Sequence, residues 1–574
     1  DMLEVADRAG LARTVKWTVG GSKALLPNIL FHSSTLFTAP PYAEMSITRT
    51  AEGLRASVGE ETAFILPDGI NPPLSYKKEM SLEDASGAAI VRGEPDGDLR
   101  FRQEEVFVLG NAFELRRDAR AFAATVAALR NAIGYNRLIY APGIMEPSNL
   151  ALLVYMGVDL VDSSLLVYQG SRGRLLLPEG VMNASDAEWM SSEDGAVQHN
   201  LDAAWKELQL VRHMIRTGRL RELAENRAHS TPWGVAALRL FDREHHDHQE
   251  RYAPVVGPTF YANTKMALYR PDVWRFRRRI KERWSPAPHK KVLLLIPCSA
   301  KKPYFTSKSH RMFEEVLLSV PNSCAVQELI ITSPLGVVPR ELELFYPAAQ
   351  YDIPVTGHWD GEEKAMVRDL VAHAARFGFT TVINHLVSSE SHLVADVVDA
   401  IETAGESTTA RDSLDRLREA LMQACGDVEK ASRAQDRVEM LRSIARYQFG
   451  PGSGVLLDDA TVVGKYPYLK VMDGKVQLAM LTPERGMLSL TMEGAERIVG
   501  HGLGWVEMGD FDLSGSLFAV GVQDADPGLR PGDEAVLLRN GEVEGVGVAV
   551  MSGAEMADSR RGEAVKVRHK RRRK

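Results

Sequence analysis

Residues 292–310 read VLLLIPCSAKKPYFTSKSH. The apolar run Val292-Leu293-Leu294-Leu295-Ile296 has the length and composition of a buried strand, and Pro297-Cys298-Ser299 turns it into a loop. Strand-like runs recur at 328–332 and 380–383, separated by helical patterns at about 310–319, 361–377 and 390–404. Strands that alternate with helices imply a parallel sheet covered on both faces. The expected fold for 289–410 is therefore a doubly wound parallel α/β domain. Ligands of such sheets lie beyond the C-terminal strand ends. Here those ends carry Pro297-Cys298-Ser299, Ser333-Pro334-Leu335-Gly336 and Asn384-His385.

The loop that follows the first strand gathers a thiol, an amine, a phenol, hydroxyls and an imidazole between residues 297 and 310. Cys298 is a candidate nucleophile, or else a small buried apolar side chain. Lys302 can hold a thiolate, stabilise a developing anion, or clamp phosphate. Tyr304 and His310 are candidates for moving a proton, Tyr304 being equally able to cover the sheet, and Ser307 can orient a bound group. Ser333, His358 and Asp360 are candidates for lining the same crevice. Asp360 suits either a substrate amino group or the N-cap of the helix it precedes. His385 and His392 read as structural.

The chain has 574 residues, enough for roughly three to five domains. Its composition, 45% hydrophobic and 25% charged, is that of a globular protein without a membrane span. Three scattered cysteines form neither a disulfide framework nor a zinc site, which points to a reducing cytoplasm. The first residues carry no signal-peptide pattern. No cofactor is assigned. The net charge of −7 argues against nucleic acid, but its distribution argues for it. Arg277, Arg278 and Arg279 sit in one basic run, and Arg568, Lys570, Arg571, Arg572 and Arg573 in another that ends HKRRRK. All eight are candidate RNA contacts, against the alternative of a solvated helix face and a frayed tail.

Four domains are expected. Residues 1–285 alternate short strands and helices in the manner of an α/β barrel and end in a helical block. Residues 289–410 hold the loop above, 411–500 form an α+β linker, and 501–574 a small Gly-punctuated β-barrel with a basic tail.

The loop spells P-C-x3-K-P-Y-x2-S-x2-H, and at every specified position it resembles the signature of archaeosine synthases, paralogues of the archaeal tRNA-guanine transglycosylases. Residues 157–163, GVDLVDS, resemble the barrel strand whose second aspartate, here Asp162, is the nucleophile in transglycosylases. Residues 198–201 and 207–241 resemble their helical block, and PGDE with GVGVA resembles a PUA domain. The first domain is thus expected to be a degenerate transglycosylase barrel. His199 stands where the transglycosylases have a zinc histidine, but no cysteine precedes Cys298, so no metal is expected there. The stretch of the family's other aspartate is replaced by ETAFILPDGINPPLSY at 61–76, and Asp162 is then a base-binding residue or a relic. The resemblance implies a transferase that adds free lysine or glutamine to the nitrile of 7-cyano-7-deazaguanine in the tRNA D-loop. It also implies a radical-SAM lyase as partner and a homodimer. The alternatives are base exchange through Asp162 and a non-catalytic tRNA-binding subunit.

Overall fold

The structure, a computed structural model, describes residues 2–68, 79–190 and 195–572. It divides into two compact units. The first comprises Asp1–Pro254 with Phe518–Val522 and Met551–Ala564; the second comprises Val255–Leu517, Gln523–Val550 and Val565–Lys574. The helix Pro271–Arg283, read from sequence as the end of the first domain, belongs to the second unit, where Val273, Phe276 and Ile280 join its core.

The first unit opens with a three-stranded antiparallel meander, Met2–Ala9, Ala12–Val19 and Ser22–Leu26. A nine-stranded sheet follows. Its spatial order is Glu61–Leu66, Gly53–Val58, Met45–Thr50, Asn28–Ser33, Leu160–Asp162, Leu138–Tyr140, Val106–Leu109, Ala88–Arg92 and Ser81–Ala85. The six neighbouring strands from Met45–Thr50 to Ala88–Arg92 run parallel. Antiparallel hairpins extend both edges, and a bridge between Ile65 and Ser86 joins them, so the sheet is barrel-like. Hairpins therefore replace some of the strand–helix units expected of an α/β barrel. Asp159 anchors the strand that carries Asp162. Buried Arg130 and Arg13 donate to it at 2.8 and 3.2 Å, and the Ile139 amide at 2.9 Å. Three helices, Ala196–Thr217, Leu220–Ala228 and Pro232–Glu244, form the helical block.

The second unit is built on a five-stranded sheet in the order Gly336–Pro339, Val326–Thr332, Val292–Pro297, Thr381–Asn384, Ile401–Glu402. Every pair is parallel except that Gly336–Pro339 turns back antiparallel onto Val326–Thr332. Val292 to Ile296 are all buried, the mark of a strand covered on both faces. The helix expected at 390–404 is absent as such: four residues, His392–Ala395, are helical, and the chain then adds the edge strand Ile401–Glu402. Val397 and Val398, β-branched and poor in helices, precede that strand. Helices Arg411–Gly426 and Arg433–Phe449 lead to a four-stranded antiparallel sheet. The C-terminal part is a mixed six-stranded sheet. Its hairpin at Asn540-Gly541 has both residues at positive φ, 52° and 78°, the backbone that a two-residue turn of right-handed strands demands. Among the described residues no helix is long and apolar enough to cross a membrane.

Candidate functional site

The strand Val292–Pro297 delivers Cys298 beside the end of Val326–Thr332, where the Cys298 amide donates to Ile331 O at 3.2 Å. Thr332 follows Ile331 on the neighbouring strand, so its side chain and the Cys298 thiol face the same side of the sheet. Burial pushes the thiol above its ordinary range, while Thr332 and the Lys302 charge pull it back. Lys302 shows the converse: burial lowers the ammonium, and charge on Cys298 and Asp352 restores it. Its Nζ lies 4.1 Å over the Tyr351 ring and donates to Ala300 O at 3.3 Å.

Tyr304 is fully buried, and its hydroxyl lies 2.6 Å from that of Tyr351, which is in turn hydrogen-bonded to Thr332. Ser333, buried at the same strand end, has a hydroxyl without a protein partner among the described residues. An orphaned hydroxyl at a strand end is a natural place for a ligand atom.

The structure assigns Ser307 and His310 to the framework of the loop. Ser307 caps the helix Lys308–Leu318, accepting from the His310 amide at 3.3 Å. The Nε2 of His310 lies 2.8 Å from Pro297 O and must donate to it, so Nδ1 accepts from Arg340 at 2.7 Å. Burial and the Arg340 charge lower the imidazole from 6.5 to about 4. Both nitrogens of His310, a candidate for moving a proton, are thus hydrogen-bonded within the loop framework, and the ring is neutral at working pH. Above pH 6.5 neither folded nor unfolded chain holds this proton. Between 6.5 and about 4 only the unfolded chain takes it up, so stability falls as the pH falls, by about 3 kcal/mol in all. His310→Asn, able to keep both hydrogen bonds, is expected to flatten that dependence in thermal melts between pH 7.5 and 4.5.

Of the crevice candidates, Asp360 is the N-cap of Gly361–Ala375, accepting from the Glu362 and Glu363 amides at 2.9 and 3.0 Å in a capping box. The cap uses Oδ1 alone, and Oδ2 lies 3.6 Å from Lys265 Nζ. His358 is exposed in the preceding loop. His385 is buried between Thr403 Oγ1 and Thr408 O.

The first unit holds a separate cavity of about 590 Å³ lined by His32, Asn111, Glu114, Tyr140, Asp162 and Gln169 among others. Asp162 accepts two hydrogen bonds at each oxygen. One oxygen accepts from Tyr140 Oη at 2.7 Å and Gly143 N at 3.0 Å; the other accepts from the amide and hydroxyl of Ser164 at 2.9 and 2.5 Å. Asn111, 2% exposed, has neither amide atom partnered among the described residues, and both Glu114 carboxylate oxygens are buried and equally unpartnered. At the rim Phe113 and Tyr168 are 52% and 56% exposed, with Arg116 and Arg172 over their rings. Exposed aromatics paired with arginine are the groups that stack on bases and meet phosphate.

The basic candidates separate. Arg277 is buried and donates to Pro334 O and Leu268 O, so it fixes the helix to the loop after Thr332 and is not free for RNA. Arg278 is exposed near Glu282, and Arg279 is half-buried, its guanidinium lowered to about 10 by burial. Arg568 pairs with buried Glu534, Lys570 donates to Leu513 O and Ser514 O, and Arg571 bonds Glu542 at 3.2 Å. Arg572 is exposed, and Arg573 lies outside the described residues. Sequence reasoning missed Thr332, Tyr351, Arg340, Asn111 and Glu114. Only the strand-end position of Thr332 could have announced any of them.

Family models match four stretches: Queuine tRNA-ribosyltransferase at 88–197, Domain of unknown function (DUF5591) at 273–421, Patch-forming domain C2 of tRNA-guanine transglycosylase at 439–501, and PUA domain at 510–571. The chain is 36% identical to the archaeosine synthase subunit alpha of Methanosarcina acetivorans, over 90% of this chain and 89% of that protein. It is 33% identical to the archaeosine synthase of Haloferax volcanii, over 85% of each. With the tRNA-guanine(15) transglycosylase of Methanothermobacter thermautotrophicus the identity is 27%, over 74% of this chain and 65% of that protein.

Proposed function

Because the chain belongs to the archaeosine synthase family, we propose that it adds a free amine, lysine in the first instance, to the nitrile of 7-cyano-7-deazaguanine in the D-loop of tRNA. The observation that carries this reading is the half-buried Cys298 thiol at a strand end, with Lys302 on the same loop over the Tyr351 ring. Cys298 sulfur bonds to the nitrile carbon as one C–N π bond breaks, and the nitrogen takes a proton from Lys302, giving a thioimidate. The donor amine then bonds to that carbon, the C–S bond breaks, and the sulfur leaves as thiolate. The amine's surplus proton returns to Lys302. The product is a substituted amidine, and no oxidant or reductant is consumed. Ser333 is suited to hydrogen-bond the nitrogen as it becomes anionic.

Base exchange is the weaker reading because each Asp162 oxygen already accepts two hydrogen bonds, which lowers its nucleophilicity toward a sugar carbon. In our reading the Asp162 cavity takes a nucleobase of the tRNA, met by Asn111 and Glu114. Glu114→Gln is expected to weaken binding of the modified tRNA several-fold in filter binding, whereas an unchanged affinity removes the cavity from this role. The PUA part supplies further RNA contacts, with exposed Arg572 as one. Relatives named as a subunit alpha support a second protein, such as a radical-SAM lyase, that completes the conversion.

The test is mass analysis of nucleosides from nitrile-bearing tRNA incubated with the protein and isotopically labelled lysine. A labelled adduct is expected. Guanine exchange without adduct would establish the transglycosylase reading instead. Binding without either product, with glutamine also tried, would leave a tRNA-presenting subunit.

A further inference from the structure

Behind Cys298 lies a cluster of three hydroxyls that neither the family signature nor the reaction assigns as a unit. Tyr304 Oη and Tyr351 Oη are 2.6 Å apart, and Tyr351 Oη is hydrogen-bonded to Thr332 Oγ1. Thr332 is the member that the register sets beside the sulfur: Pro297 pairs with Ile331, and the next residues on each strand are Cys298 and Thr332. Tyr304 and Thr332 are 0% exposed and Tyr351 2%, so water does not enter the cluster.

Each hydroxyl carries a single hydrogen. A negative charge on sulfur is the strongest acceptor within reach and orders those hydrogens in one direction. Thr332, whose hydroxyl otherwise donates to Ser333 O at 3.3 Å, turns its hydrogen to this stronger acceptor, Tyr351 donates to Thr332, and Tyr304 donates to Tyr351. Each donation makes the next oxygen a better donor, and the effect is largest in a dry pocket. Because the three hydroxyls are sealed from solvent, they cannot carry the thiol proton away. That proton must leave from the open side of the sulfur, where Lys302 is available. The cluster therefore donates to the sulfur without conducting protons.

We propose that Thr332, backed by Tyr351 and Tyr304, is a positioning residue that hydrogen-bonds the Cys298 thiolate and aims the sulfur into the crevice, and that Tyr351 positions it through Thr332. Tyr351 has a second task that can be separated from the first. Its ring lies under Lys302 at 4.1 Å, a contact that Tyr351→Phe keeps while deleting the hydroxyl.

The test reads the sulfur alone, without tRNA. The rate of Cys298 alkylation by iodoacetamide is followed against pH in the full chain by mass analysis of the Cys298 peptide, which separates it from Cys324 and Cys425. Thr332→Val and Tyr351→Phe are each expected to move the midpoint upward and to slow alkylation at pH 7.5 about three- to tenfold. Thr332→Ser, which keeps the hydroxyl, is expected to restore the wild-type profile. The double variant should match Thr332→Val alone, because Tyr351 acts through Thr332. An unmoved midpoint in Tyr351→Phe, or additive effects in the double variant, would overturn the proposal. So would failure of Thr332→Ser to restore the profile. If Thr332→Val does not fold, Tyr351→Phe and Thr332→Ser decide the matter. The inference rests on Cys298 being the nucleophile, yet the two fail separately: an active Cys298→Ala would end the covalent route without touching the alkylation result.

Discussion

Cys298→Ala is expected to reduce amidine formation by about a thousandfold or more while leaving tRNA affinity within twofold of wild type. The size follows from the route. Without the sulfur there is no thioimidate, and the amine must attack a nitrile carbon directly. Nucleoside mass analysis at saturating lysine gives the rate, and filter binding gives the affinity. Cys298→Ser separates the contributions further, since a serine keeps a hydrogen-bonding group beside Thr332 but is a far weaker nucleophile at neutral pH. Both variants should be comparably inactive. A loss of only a few-fold in Cys298→Ala would show direct amine attack, with Lys302 and Ser333 as the surviving catalytic groups.

The largest expected loss of stability is at Arg340. Its guanidinium holds Glu328 at 2.9 Å, Glu343 at 2.6 Å and His310 Nδ1 at 2.7 Å. Glu343 is completely buried and also accepts from Tyr466 at 2.9 Å. Arg340 holds Glu328 below the usual carboxylate range, whereas burial outweighs the same pairing at Glu343 and keeps it above. Arg340→Met leaves two buried carboxylates without their cation, a change that costs about 3–5 kcal/mol. Those carboxylates would then take up protons more readily when folded, so the deficit should narrow as the pH falls from 7.5 to 5. Guanidinium unfolding followed by tryptophan fluorescence measures both. Adding Glu343→Leu to Arg340→Met should recover part of the loss, because the most deeply buried unpaired charge is gone.

The strand Val292–Pro297 could be read from five consecutive apolar residues because a strand covered on both faces needs no alternation. The same logic placed the strands now seen at Val326–Thr332 and Thr381–Asn384 and the helices at Lys308–Leu318 and Gly361–Ala375 to within two residues at each end. It failed at 390–404, where pairing with the sheet overrode a helical pattern. The candidate site was legible as a list of residue types and illegible as a division of labour. Ser307 and His310 look as reactive as Cys298 in sequence. Only Arg340, thirty residues away, and the carbonyl of Pro297 show that the imidazole is pinned. Tyr351 could not be seen for a related reason: its hydroxyl reaches Tyr304 across 47 residues of chain, and no local pattern encodes that. Arg277 erred in the opposite direction, since a basic run on a helix says nothing about which of its members the fold will bury.

The division of the first unit into separated segments bears on how the protein is made. Glu555 lies in Met551–Ala564 and accepts from Arg8 at 2.6 Å, and Asp558 accepts from the Tyr135 amide at 3.2 Å. A ribosome that has finished Pro254 must add roughly 300 more residues before these carboxylates exist. At about 5–20 residues per second that is on the order of 15–60 s. During that interval the nascent first unit presents Arg8 and the Tyr135 amide without these partners, although every strand of its nine-stranded sheet has already been made. Trimming the chain after residue 550 would leave both without them permanently.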